Sequence, residues 1–257
     1  MHYILNHPPL VFVVSLLVLR SAALFGTYLL GRRTPIEEQE HDDLNVIVAA
    51  ALTLLGLIIG FTFSMALTRY DQRKNYEEEE ANAIGTEYLR VDMLPPADAA
   101  RIRETLRVYL DQRIAFYENR DEAKGRQIDA ETARLETELW SEVEAGARAN
   151  PTAVVALAVS GMNDVLNRQG YTQAAWWNRI PIAAWALMFA IALACNGLLG
   201  YSSHKVDGKT RRYFIFPLIV AISFILIADI DSPSTGIIRV HPQNLEALAQ
   251  SLHPPQP

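Results

Sequence analysis

Four stretches of roughly twenty apolar residues, each long enough to cross a bilayer as a helix, constrain this chain more than any other feature. They cover about residues 10–31, 44–68, 180–201 and 213–231. Their ends carry what a membrane interface selects. Arg32 and Arg33 close the first, Trp176, Trp177 and Pro181 lead into the third, and Arg211 and Arg212 precede the fourth. Residues 1–10 hold no Lys or Arg, and the first run exceeds the short apolar core of a cleaved signal, so it is read as a retained span. A soluble globule, a disordered chain and a disulfide scaffold are excluded; Cys195, the one cysteine, has no internal partner.

Residues 69–178 have a different composition. They hold 14 Lys and Arg against 20 Asp and Glu, a net charge of -6 that equals that of the whole chain and argues against nucleic-acid binding. The pattern predicts helices. The second span continues through residues 70–94, which contain no proline, and stops before Pro95 and Pro96. A helix capped near Asp98 buries Ile102, Leu106, Tyr109, Leu110, Ile114 and Tyr117. Another covers about 128–145, with Leu135, Leu139 and Val143 on one face. A last one starts at Asn150 and Pro151 as cap and first residue. No strand is expected. The fold class is an all-α membrane protein: spans one and two in residues 1–68, an extramembrane helical domain in 69–178, spans three and four in 179–231, and a tail in 232–257. The loops beyond spans one and three carry six Lys and Arg, and six more lie on the opposite side, so the charge count leaves the orientation open.

Several charged and small residues are candidates for function. Arg20 lies near the centre of the first run, where an arginine costs roughly 2.5–3.5 kcal/mol. It is either an anion site or ion-pair partner, or sits shallower and snorkels. Asp229 and Asp231 close the fourth span, about 200° apart on a helix. They are pore-mouth acids or the caps of a helix-ending turn at Asp231-Ser232-Pro233, with Arg69 or Arg73 as possible partners. Glu77, Glu79 and Glu80 follow the second span, and one of them per subunit would form an acidic ring in an oligomer with this helix at its axis; a solvated face is the plainer reading. Gly56, Gly60 and Ser64 recur at i, i+4 and i+8, a pattern that lets helices approach closely, within or between subunits. Asn82, Thr86 and Arg90 form a polar stripe of the same period.

Some of these residues resemble a known family. Gly60-Phe61, Ser64, Arg69-Tyr70-Asp71 and Arg73 lead into Glu80-Ala81-Asn82-Ala83-Ile84-Gly85-Thr86 and Arg90. Tyr109, Arg113, Asp229-Ile230-Asp231-Ser232-Pro233 and Gly236 follow. Together, over roughly residues 44–240, they resemble the bacterial bestrophin-like membrane proteins, four-span proteins of unassigned function with a helical insertion. The resemblance implies a multi-pass protein of the bacterial inner membrane. It also implies likeness to bestrophins, which are oligomeric anion channels with the pore on the symmetry axis. The second span departs from theirs. It reads Leu57-Ile58-Ile59-Gly60-Phe61-Thr62-Phe63-Ser64, without a proline-bracketed constriction, which leaves ion selectivity unassigned.

Enzyme chemistry has no support in the sequence. The six histidines are scattered, no metal-ligand spacing occurs, and phosphate-loop, dinucleotide and nucleophile-elbow patterns are missing. No cofactor is expected. Two functions compete. One is a homo-oligomeric ion channel or pore, with Gly60, Phe61 and Ser64 at its narrow part. The other is a non-conducting scaffold or sensor whose helical domain binds a protein partner.

Overall fold

The computed structural model describes residues 2–30, 40–202 and 212–252, and among these it is helical without a strand. The elements in chain order begin with α1 (His2–Leu5), α2 (Pro8–Phe25) with a π-helical turn at Gly26–Leu30, and α3 (Glu40–Arg90) with a 3-10 turn at Val91–Met93. They continue with α4 (Pro96–Glu118), α5 (Glu122–Ala149), α6 (Val155–Trp177), α7 (Ile182–Ser202), α8 (Arg212–Asp231) and α9 (Gln243–Leu252). Four segments are long and apolar enough to cross a membrane; they overlap all four expected runs, the first ending at Tyr28 and not near residue 31, and the fourth starting at Phe214. Most of the two loops used to weigh orientation, with Arg32, Arg33, Lys205, Lys209 and Arg211, lies outside the described residues.

The chain divides into two compact units. One comprises residues 1–69 and 179–238, the other residues 70–178 and 239–257. In the first, α2 packs against α7 and α8. Its buried residues Val11, Ser15, Leu19 and Ala23 repeat every fourth position, which makes one continuous ridge. Where that ridge meets α7, backbones touch. A Cβ at Gly200 would collide with the Ala23 carbonyl, and one at Gly26 with the Gly197 carbonyl. Thr27 closes the crossing by donating to both the Ala23 and the Gly200 carbonyls at 3.0 Å. Trp185 and Phe224 meet edge to face at 6.1 Å between ring centres, and Phe189 meets Phe224 at 4.8 Å.

In the second unit, α4, α5 and α6 pack with residues 70–90 of α3 around Ile84, Ile102, Leu106, Leu110, Leu139, Met162 and Val165. The apolar stripes read from α4 and α5 are buried, save Ile114, which is partly buried. The helix boundaries differ from the sequence reading for local reasons. α3 ends four residues early, because Leu94 turns extended ahead of the two prolines. α4 begins at Pro96, whose missing N–H costs nothing in a first turn, so Asp98 lies inside the helix and not at its cap. Asp121, not a residue near 128, starts α5 by accepting from the Ala123 amide at 2.8 Å. Asn150 is the C-cap of α5, and it is Thr152 that accepts from Val155 at the start of α6.

Candidate functional site

The apolar stretch of α3 is the least covered of the four candidate spans. Of its most apolar eighteen residues 17% are buried, against 33% on α2 and 50% on α8. The covered positions Val48, Leu55, Thr62 and Ala66 fall on one narrow stripe of the helix. Gly56, Gly60 and Ser64 lie on the open side, and a Cβ at Gly56 or Gly60 would meet nothing within 4 Å. Phe61 is 64% exposed, and Leu57 and Met65 stand exposed near it. Among the described residues, Gly56 and Gly60 therefore serve no close approach. The close approach that exists, Gly26 against Gly197 and Gly200 against Ala23, was missed by the sequence reading. Its signal was the i, i+3 glycine pair Gly197 and Gly200.

Farther along α3 the stripe that carries Val48, Leu55, Thr62 and Ala66 stays buried but becomes charged. Arg73, Glu77, Glu80 and Glu87 all lie inside the helical unit. A buried charge is tolerable when paired and hydrogen-bonded, and the partners of Glu77 and Glu80 come from distant segments. Glu80 receives both Nε and Nη2 of Arg113, the Tyr117 hydroxyl at 3.2 Å and the Thr172 hydroxyl at 3.0 Å. Burial holds the Tyr117 phenol well above its ordinary pKa, so it remains a donor. Glu77 accepts from the Asn244 amide at 2.9 Å, the Leu245 amide at 3.0 Å and the Asn244 side chain at 2.6 Å. It thereby satisfies the free N–H groups at the start of α9. Half-exposed Glu79 pairs with Arg168 of α6. Glu77 and Glu80 are enclosed and bonded, so of the three candidate ring acids Glu79 is the one whose side chain reaches solvent.

Glu77→Ala leaves the first amides of α9 without an acceptor, a cost of about 1–3 kcal/mol. Trypsin cleavage at Arg239 in the folded protein should then be several-fold faster than in the parent chain.

The two aspartates at the end of α8 are engaged within the first unit. Asp229 accepts from the Ile237 and Ile238 amides, both at 2.8 Å. Asp231 accepts from the Ile180 amide at 3.1 Å and from Arg179 Nε at 3.3 Å, so Arg179 is its basic partner. Gly236 is required by the turn that follows Asp231, because a Cβ there would run into the Asp229 carbonyl. The geometry is that of a helix-ending network, one of the two roles the sequence left open. Arg20 is exposed on α2, with its guanidinium carbon 5.5 Å from the centre of the Phe214 ring in the first turn of α8. It is therefore level with a helix end, as a shallow, snorkelling arginine would be. Arg69 Nη2 lies 3.8 Å from Met65 Sδ one turn back, and Arg73 is buried. Gly85, in the most specific stretch of the sequence, gives room to Leu248 of α9, whose Cδ1 would be 3.1 Å from a Cβ. Among the described residues, no cluster of three or more His, Cys, Asp or Glu could hold a metal ion.

Comparison with known proteins agrees with this architecture. The bestrophin-like domain matches residues 17–245. Among solved structures, the bacterial bestrophin homologue from Klebsiella pneumoniae superimposes with a TM-score of 0.63 at 14% identity, covering 93% of this chain and 96% of that one. A single-substitution variant of it gives a TM-score of 0.64, again at 14% identity, with 94% and 95% covered. At this identity the likeness is one of fold. No curated protein matches the chain.

Proposed function

We propose, on the premise that this chain belongs to the bestrophin-like family, that it assembles into a homo-oligomeric ion conduit of the bacterial inner membrane. The open side of α3 faces the shared axis in this arrangement. The observation that carries the reading is the exposure of that apolar face, Gly56, Leu57, Gly60, Phe61 and Ser64, in a chain whose other spans are better covered. Four spans in one chain enclose no pore, so siblings are required. Rings of Leu57 and Phe61 would form an apolar constriction that gates by dewetting, while Gly60 and Ser64 allow the helices to approach. Residues 70–178 form the extramembrane part. Glu77 and Glu80 support that part from inside and do not line a mouth.

The test uses the full-length protein. Gly60→Leu meets no neighbour within the chain, so the fold should persist with an unchanged unfolding midpoint. Subunit count by native mass spectrometry and conductance in planar bilayers should both change. Phe61→Ala should raise open-state conductance in the same bilayers. A parent protein that is monomeric, or that conducts none of several ions, overturns the proposal.

A second reading is supported by an apolar groove of about 560 Å³ between α5 and α6, lined by Trp140, Ala147, Pro151, Val155 and Val159. A scaffold whose helical domain binds a protein partner would use such a surface. That reading is favoured if crosslinking recovers one defined partner from a Trp140-dependent site while conductance is absent.

A further inference from the structure

Glu87 differs from the other buried acids of α3. It is fully enclosed, yet among the described residues neither of its carboxyl oxygens meets a hydrogen-bond donor. Glu77 and Glu80, on the same side of the same helix, have three and four donors between them and their partners. Glu87 is instead pressed against Gly161 of α6, where even a Cβ would collide with its Oε2. Arg90, one turn along α3, lies over the same glycine, with Nη1 2.8 Å from the Cβ position, but it donates to neither oxygen. An ionised carboxylate in this position would forgo both water and hydrogen bonds, a cost of several kcal/mol by general desolvation arguments. A protonated one satisfies the same packing at far lower cost.

We propose that Glu87 is a protonation-controlled lock between α3 and α6. With the proton on, the neutral carboxyl lies flush against Gly161 and the two helices stay closed. With the proton off, the charge seeks Arg90 and water, and α6 loosens around Gly161.

The surroundings fit a titrating group. Burial raises the Glu87 pKa to about 8, Arg90 opposes this, and Asp164, one turn beyond Gly161 on α6, adds to it. Other charges on the packed elements are engaged elsewhere. Arg168 of α6 pairs with Glu79, Arg113 of α4 with Glu80, Arg103 of α4 with Asp92 in the 3-10 turn, and Arg107 of α4 with Glu104 and the Tyr88 hydroxyl. An acid whose folded pKa exceeds its unfolded value of 4.5 holds an extra proton in the folded state between the two. Its contribution is complete below pH 4.5 and is lost as pH rises through about 8. The lock therefore opens toward alkaline pH. Gly161 is part of it, because any side chain there would hold the helices apart at every pH.

The experiment is hydrogen exchange of the full-length protein in detergent between pH 5.5 and 9, corrected for the intrinsic chemical rate. In the parent chain, peptides covering residues 155–170 should lose protection tenfold or more across this range, while peptides from α5 keep theirs. E87Q, and separately E87M, should keep residues 155–170 protected throughout. Identical pH profiles in the parent and both variants overturn the proposal, as does undiminished protection of the parent at pH 9. The readout does not involve conduction, so it stands apart from the conduit reading.

Discussion

Glu80→Ala is expected to lower the unfolding midpoint of the protein's helical unit by about 10 °C. Glu80 and Arg113 are both fully enclosed, and removing one member of a buried pair strands the other, at about 3–5 kcal/mol. Four donor atoms converge on Glu80: two from Arg113, one from Tyr117 and one from Thr172. The guanidinium also lies over the Phe116 ring, 4.4 Å from its centre, so its loss would disturb the packing of Phe116, Tyr117 and Trp176. Arg113→Ala should cost as much as Glu80→Ala. The pair Glu80→Met with Arg113→Met should recover most of the loss, because two apolar side chains of similar volume leave no uncompensated charge. Thermal unfolding in detergent, followed by circular dichroism, reads all three. A midpoint unchanged in Glu80→Ala, accompanied by altered ion selectivity, would return Glu80 to a pore-mouth role.

Gly200→Leu is expected to prevent stable folding of the first unit, and Gly200→Ala to destabilise it by about 3 kcal/mol. The colliding atom at Gly200 is a backbone carbonyl, that of Ala23, and a backbone atom cannot move aside by changing rotamer. The hydrogen bonds from Thr27 to Ala23 and Gly200 depend on the same close crossing and would be lost with it. Gly26→Ala should behave alike, because its Cβ would meet the Gly197 carbonyl. Gly56→Ala supplies the contrast. It faces open space and gains helix propensity of up to about 1 kcal/mol. Monomer stability in detergent, by chemical unfolding, should therefore fall for Gly26 and Gly200 and hold or rise for Gly56. If all three behaved alike, the assignment of the close helix crossing to α2 and α7 would be wrong.

The structure changes the meaning of the residues that carry the family resemblance. Glu80 and Gly85 in the stretch from Glu80 to Thr86 are packing devices: one anchors Arg113, the other admits Leu248. Asp229, Asp231 and Gly236 build a turn that ends α8. Their specificity in sequence reflects packing, within a turn for Asp229 and Gly236 and with segments dozens of residues away for Glu80, Gly85 and Asp231. None of those contacts requires an ion.

The sequence by itself determined the four apolar runs, their lengths and the helical character of residues 70–178. Bilayer thickness and the 3.6-residue period act on neighbouring positions, which any reader of the chain can align. It also placed Ile102, Leu106 and Leu139 in a core, by the same periodicity. Only the tertiary structure decided which acids are enclosed, because their partners, Arg113, Thr172 and the amides of residues 244 and 245, are brought to α3 by folding. It likewise decided which glycines are crowded. Gly56 and Gly60 form the more conspicuous pattern, yet Gly26 and Gly200 bear the contact, since crowding depends on the facing backbone and not on the spacing within one helix.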